Sequence, residues 1–255
     1  MDISGKAAIV TGSAVGVGRA TALELARRGA RVVINYSRSE EEARQTLAEV
    51  ESLGTEALLV RADVSRDDQV RAMVQQTLDR FGSVDVLVNN AAITYFVNFA
   101  DLDALTEEMW DRILAVNVKG VFFCSRAVAG PMREGGGGCI VNISSVAGIR
   151  GAGSSIAYTA SKAAVINLTM AFARTLAPEV RVNCVAPGFI DTRWHWGRKS
   201  PEEYEQAKER VAREMPLRRV CTAEDVAQAV LSLIQGADLV TGQTLVVDGG
   251  STLRF

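Results

Sequence analysis

Tyr158 and Lys162 lie four residues apart in a stretch, Tyr158 to Arg174, whose small and apolar residues read as a buried helix. At that spacing both side chains leave one helix face about a turn apart. An ammonium held near a phenol favours the phenolate and lowers a pKa that is otherwise about 10. The phenol could then exchange a proton near neutral pH. Upstream, Ile140 to Ser145 reads as a short buried strand ending in two hydroxyls, Ser144 and Ser145. A tyrosine–lysine pair at this spacing on its own is more often a solvated helix face. Its chemical reading depends on the elements around it.

The first of these lies at the start of the chain. Lys6 to Thr11 is a short apolar run rich in strand formers, followed by Gly12-Ser13-Ala14-Val15-Gly16-Val17-Gly18 and an Ala- and Leu-rich helix from Arg19 to Arg28, stopped by Gly29. Strand, glycine turn and helix make a dinucleotide cradle. Glycine lets backbone approach a pyrophosphate, and the helix N-terminus offers free N–H groups with a favourable dipole. The candidate contacts are Gly12, Ser13, Gly16, Val17 and Gly18. Their spacing is G-x-x-x-G-x-G, not the G-x-G-x-x-G of the general fingerprint.

Taken together, Thr11-Gly12, Gly16 and Gly18, Asn89-Asn90-Ala91, Asn117, Ser145, Tyr158 with Lys162, and Pro187-Gly188 resemble the short-chain dehydrogenase/reductase family nearly end to end, including members that reduce 3-oxoacyl-carrier-protein substrates. The resemblance implies a catalytic tetrad of Asn117, Ser145, Tyr158 and Lys162. In it Ser145 donates to a substrate carbonyl, Tyr158 is the acid, and Lys162 also binds the nicotinamide ribose. Asn117 kinks its helix and holds a water that touches Lys162. The resemblance also places Asp63 and Val64 at the adenine, Asn90 and Ala91 along the cofactor, and Pro187, Gly188, Ile190 and Thr192 at the nicotinamide. Ala92 departs from the family's usual glycine, and its methyl is tolerated only if φ is negative there.

The alternation of strands near 31–36, 57–60, 84–88 and 181–186 with helices predicts an α/β fold. We expect one Rossmann-like domain over 1–255, a doubly wound parallel sheet of about seven strands with helices on both faces. One amphipathic helix is predicted from Thr106 to about Arg133. Ser39 with Glu42, and Thr222 with Asp225, are candidate helix caps. Residues 190–216, with Trp194, His195 and Trp196 crowded together, are the least family-like part and read as a substrate lid.

The end of the second strand bears on cofactor choice. An acid there would bind the ribose hydroxyls and repel a 2′-phosphate. The chain instead has Asn35-Tyr36-Ser37-Arg38. Arg38 can pair with a phosphate through its planar fork and Ser37 can donate to it, which favours NADP(H) over NAD(H). Against this, Glu41 or Glu42 could neutralise Arg38, and Ser13-Ala14-Val15 lacks the basic residue that many NADP-using relatives carry in the glycine turn.

Composition bounds the rest. The 255 residues are 48% hydrophobic and 23% charged, with a formal charge of −2, which fits a globular chain and argues against a nucleic-acid surface. No unbroken run of eighteen apolar residues occurs, so no membrane span is expected. The first strand begins almost at once, leaving no room for a signal peptide, and the chain reads as cytoplasmic. The four cysteines lack any C-x-x-C pair and His195 is the sole histidine, so no metal is expected. The expected activity is NADPH-dependent reduction of a ketone, possible substrates being 3-oxoacyl thioesters, sugars or steroids. An NAD-dependent alcohol dehydrogenase and a non-catalytic cofactor sensor are the alternatives. The resemblance further implies a homotetramer built through the last strand and the two long helices.

Overall fold

The computed structural model describes residues 1–192, 200–236 and 238–253. Its strands are the short apolar runs: β1 Ala7–Val10, β2 Arg31–Tyr36, β3 Ala57–Arg61, β4 Val86–Asn89, β5 Gly138–Ile143, β6 Val180–Pro187 and β7 Thr244–Val247. They form one parallel sheet in the order β3-β2-β1-β4-β5-β6-β7. β1, β4 and β5 are buried along their whole length. Strands covered on both faces need side chains that are apolar or hydrogen-bonded, so these read as nearly continuous apolar runs without alternation, broken only by Asn89 and Asn142. The doubly wound sheet expected from the sequence is the fold observed.

The helices are α1 Gly16–Arg27, α2 Glu40–Ser52, α3 Asp67–Phe81, α4 Glu107–Leu114, α5 Gly120–Glu134, α6 Ala147–Arg150, α7 Ile156–Leu176, α8 Pro201–Glu214 and α9 Ala223–Gln235. One face of the sheet packs Ala8, Val10, Val32 and Val88 against Leu25 of α1 and Val230 and Ile234 of α9. The other packs Ile9, Val33, Leu87 and Ile140 against Met73 of α3, Val128 of α5 and Leu176 of α7. Each such large side chain taken fully out of water contributes about 1.5–3 kcal/mol before entropy is counted. All four cysteines are buried and unpaired.

The helix predicted from Thr106 to Arg133 is broken. Residues Ala115–Lys119 form a π-helical turn between α4 and α5, with Asn117 at its centre. Cap chemistry also differs in part. Thr222 with Asp225 and Ser200 with Glu203 form full capping boxes, whereas Ser39 stands at the start of α2 without a side-chain cap bond. The α4–α5 stretch and α7 are each long and apolar enough to cross a bilayer by length and composition alone. Here one face of each lies on the sheet, and the other also carries apolar groups.

Strand order reverses between β1 and β4, and ligands of open α/β sheets bind at the carboxyl ends beside such a reversal. A buried amide network stiffens the sheet just behind this edge. Asn89 Nδ2 donates to Asn142 Oδ1 at 2.8 Å and to Ser125 Oγ at 3.0 Å, and Asn142 Nδ2 donates to Thr169 Oγ1 at 2.9 Å. These bonds tie β4 and β5 to α5 and α7.

Candidate active site

A single cleft of about 1360 Å³ opens at the reversal, lined by residues just past β1, β2, β3, β4, β5 and β6. Its floor is the glycine turn. Gly12 and Gly16 have φ of +63° and +58°, a region that side chains with a Cβ rarely enter. A Cβ at Gly16 would face open space, its nearest neighbour being Thr192 Cγ2 at 3.9 Å. A Cβ at Gly18 would instead lie 2.4 Å from Gly12 O and 2.5 Å from Asn90 Nδ2. Gly16 therefore leaves room for a ligand, while Gly18 lets the turn pack on the helix.

The turn is held from below. Asn35 Oδ1 accepts from Gly12 N at 3.1 Å, and its Nδ2 donates to Val60 O and Ala62 O. Asn90 Nδ2 donates to Thr11 O and Gly12 O at 2.9 and 3.1 Å. Ser13 corrects the expectation: it is fully buried, donates to Val10 O at 2.8 Å, accepts from Asn35 N, and does not line the cleft. Its hydroxyl braces the turn because the loop folds it under the strand ends.

Helix α1 begins at Gly16 with Val15 in the cap position and no side-chain cap bond. Four other helices are capped by Thr106, Ser155, Ser200 and Thr222. An apolar cap leaves the first N–H groups of α1 open toward the cleft, where an anion can take them. The cradle thus fits a dinucleotide pyrophosphate. Gly12, Gly16 and Val17 line it, as do Ser37, Arg38, Asp63, Val64, Asn90, Ala91, Pro187, Gly188, Ile190 and Thr192. Ala92 also lines it and does not have a positive φ, so its methyl is carried without strain.

The opposite wall brings Ser145, Tyr158 and Lys162 together. Lys162 is 3% exposed, its Nζ donates to Ile143 O at 2.8 Å, and it lies 5.6 Å from the Tyr158 ring centre. Burial pulls the ammonium down to about 8. Burial also pushes the Tyr158 phenol up to about 12, opposed by a hydrogen bond with the Ser145 hydroxyl. The lowering of Tyr158 that the spacing predicted is therefore not what this arrangement produces. The ammonium lies 5.6 Å from the ring centre and is bonded to a carbonyl, and desolvation of the buried phenol prevails.

Asn117 is 1% exposed and lies behind the cleft wall, not in it. Its Oδ1 accepts from Ile93 N at 2.9 Å, and its Nδ2 donates to Ile93 O and to Ser161 Oγ, each at 3.0 Å. Both amide hydrogens are thereby occupied, and one lone pair of Oδ1 is left for a water. Its contacts reach Ser161, next to Lys162 in the chain.

Asp63 lines the cleft where β3 ends, and its carboxylate accepts from Ser65 N and Oγ and from Arg112 Nη2 at 3.0, 2.7 and 3.0 Å. Burial alone would raise this carboxyl, but Ser65 and Arg112 outweigh it and hold it below the ordinary range. Arg112 on α4 also lines the cleft and was not legible as a site residue. Nothing local marks it, since its role comes from a partner far away in sequence. The substrate side is walled by Tyr95, Phe96, Phe99 and Phe189, likewise unmarked by any motif. Trp194, His195 and Trp196 lie outside the described residues.

A doubly wound sheet whose reversal cradles a dinucleotide, facing a tyrosine and a lysine on one helix, defines an oxidoreductase of the nicotinamide-dependent kind. The chain belongs to the short-chain dehydrogenase/reductase family. A family model described as enoyl-(acyl carrier protein) reductase matches residues 12–252. The chain is 44% identical over 246 residues to a protein of Streptomyces violaceoruber named as ketoacyl reductase 2 of the granaticin polyketide synthase, covering 96% of each. It is 40% identical to the 3-oxoacyl-[acyl-carrier-protein] reductase of Synechocystis, covering 98% of each. Among solved structures, a Burkholderia xenovorans chain assigned as a short-chain dehydrogenase/reductase superposes with a TM-score of 0.91 at 33% identity, covering 98% of each.

Proposed function

We propose that the protein reduces the carbonyl of a 3-oxoacyl thioester or a related ketone with NADPH. The observation that carries this reading is the placement of Ser145, Tyr158 and Lys162 on one wall of the cleft whose floor is the open glycine turn. The names of the ketoacyl and 3-oxoacyl reductase relatives support the substrate class. So does the aromatic wall of Tyr95, Phe96, Phe99 and Phe189, which suits an apolar chain.

When bound, the nicotinamide cofactor supplies the hydride. The residues supply the rest. Ser145 donates a hydrogen bond to the carbonyl oxygen and orients it. Tyr158 gives its proton to that oxygen as negative charge develops there; burial makes the phenol a weaker acid, but even near 12 it is a stronger acid than the alcohol being formed, so the transfer runs downhill. Lys162, anchored on Ile143 O, offers its remaining N–H groups to the ribose side of the cleft. Asn117 keeps the π-helical turn and Ser161 in place, and through the free lone pair of Oδ1 holds a water that returns a proton. Gly12, Gly16 and Val17 take the pyrophosphate, Val64, Asn90 and Ala91 flank the cofactor, and Ile190 and Thr192 border the nicotinamide. Asp63 meets the adenine edge with its remaining acceptor capacity.

NADP(H) is preferred because Ser37 and Arg38 line the cleft and no acid occupies positions 35–38 at the end of β2. Asn35 is turned under the sheet, and Glu40 pairs with Arg44 at 2.7 Å. Arg38 has no ion-pair partner among the described residues. The described parts of the expected lid, residues 190–192 and 200–216, serve to cover the substrate, and four copies assemble through α5, α7 and β7.

The test is oxidation of NADPH and NADH followed by absorbance with a panel of 3-oxoacyl thioesters, sugars and steroid ketones. NADPH should support turnover of a thioester, and Tyr158→Phe should lower it by about 10²–10⁴-fold while cofactor still binds. Full activity in Tyr158→Phe would remove the tyrosine from its role.

A further inference from the structure

Where β2 and β3 end, a smaller concavity of about 480 Å³ adjoins the cleft, lined by Ser37, Arg38, Arg61, Asp63 and Gln69. It shares Ser37, Arg38 and Asp63 with the main cleft, so the two form one surface. The sheet explains the placement. β2 and β3 run parallel with Tyr36 level with Arg61, so the loop bearing Ser37 and Arg38 leaves the sheet directly beside Arg61.

The charge here is unbalanced. Two guanidiniums share the concavity with one carboxylate, and Asp63 is already bonded to Arg112 and twice to Ser65. The Gln69 side-chain oxygen accepts from Asp63 N at 2.8 Å. Glu40, whose carboxyl feels the charge of Arg61, is bonded to Arg44. Among the described residues neither Arg38 nor Arg61 stands within ion-pair distance of a carboxylate. Elsewhere on the surface arginines such as Arg44, Arg71, Arg126 and Arg219 are paired at 3.0 Å or less. Two unneutralised guanidiniums at one strand edge repel each other, and a dianion between them would relieve that repulsion.

We propose that Arg61 is the second arm of a two-arginine clamp for the 2′-phosphate of the dinucleotide, an inference that rests on the NADP(H) reading above. Arg38 approaches from the β2 loop, Arg61 from the end of β3, and the Ser37 hydroxyl adds a third donor. The clamp accounts for the glycine turn of this chain. Ser13-Ala14-Val15 has no base and Ser13 is buried, so the second cation comes from the neighbouring strand. A planar fork suits a phosphate better than an ammonium does.

The test needs no turnover. Calorimetric titration of the full chain with adenosine 2′,5′-bisphosphate and with 5′-AMP isolates the 2′-phosphate. Wild type should bind the bisphosphate more tightly. Arg61→Gln should weaken the bisphosphate about tenfold, as loss of one charge-assisted contact implies, and leave 5′-AMP unchanged. Arg61→Lys should recover part of the loss. Unchanged 5′-AMP binding also reports a folded variant, since Arg61 is exposed. If Arg61→Gln keeps the wild-type preference while Arg38→Gln abolishes it, the clamp is overturned and the NADP(H) reading stands. If wild type itself shows no preference for the bisphosphate, the NADP(H) reading falls and takes the clamp with it.

Discussion

Lys162 is a buried cation whose compensation is a carbonyl, Ile143 O, with no carboxylate against it. Its pKa falls from an ordinary 10.5 to about 8 for that reason. Between those values the unfolded chain holds a proton that the folded chain has released, so stability rises with pH across that window. Below about 8 both states are protonated and the folded state bears the full desolvation cost. Tyr158 acts in the opposite sense, but only between its ordinary 10 and about 12. Urea midpoints measured from pH 7 to 10 should therefore show wild type gaining on Lys162→Met from about pH 8 upward. A constant gap would mean that the lysine keeps its ordinary pKa. What the sequence made legible at this scale was residue type. Tyr158 and Lys162 share a helix face as their spacing implied, because the helix period fixes such positions, and Ser145 stands with them as the family resemblance implied. The direction of the tyrosine's shift was not legible, since it depends on how far the fold buries the phenol. Nor was the burial of Ser13, which depends on how the turn folds beneath β1 and β2.

At the scale of elements, the loop after β6 is pinned from two sides. Asp191 N donates to Cys221 O at 2.9 Å and Cys221 N to Phe189 O at 3.1 Å. From the other side, Tyr204 Oη and Lys208 Nζ of α8 donate to the Asp191 carboxylate at 2.8 and 3.1 Å, and Phe189 stacks on Tyr204 with ring centres 6.5 Å apart. Helix α8 thus positions Ile190 and Thr192 through Asp191. Tyr204→Phe keeps the stacking and Lys208 but removes one bond to a carboxylate, a loss of about 1–2 kcal/mol. The KM for NADPH should rise about three- to tenfold with kcat within about twofold, because the loop positions the cofactor and donates no proton. An equal fall in kcat with KM unchanged would place Tyr204 in the chemistry instead. The charged run from about Ser200 to Arg213 marked α8 in the sequence, but its Ser200–Glu203 capping box did not. The π-helical turn at Ala115–Lys119 was legible only as the kink at Asn117 that the resemblance implied: its residues continue the apolar period of α4 into α5, and the extra residue is absorbed by Asn117 bonding to both Ile93 N and Ile93 O across the cleft wall.

Among the described residues, two of the exposed apolar regions lie on elements that other copies could meet, and they lie at different places. One is the outer face of α5 and α7, where Phe122 is 38% and Met170 49% exposed, with Ala160 and Ala163 also exposed on α7. It explains why these helices have membrane-like composition: they are apolar toward the sheet and toward the outside. The other is β7, an edge strand whose adjacent residues Leu245 and Val246 point to opposite faces and are both exposed. An exposed apolar edge strand invites pairing with another chain. If each region makes its own isologous contact, the two together close into the proposed tetramer with three perpendicular two-fold axes. Light scattering on wild type should then give four times the 27.3 kDa chain mass. A charge placed on one face should leave the contact through the other intact. Met170→Glu and Leu245→Glu should each give dimers, and the double variant monomers. A wild-type monomer would show that neither region is an interface, and a dimer lost entirely to one substitution would show that only that face is used.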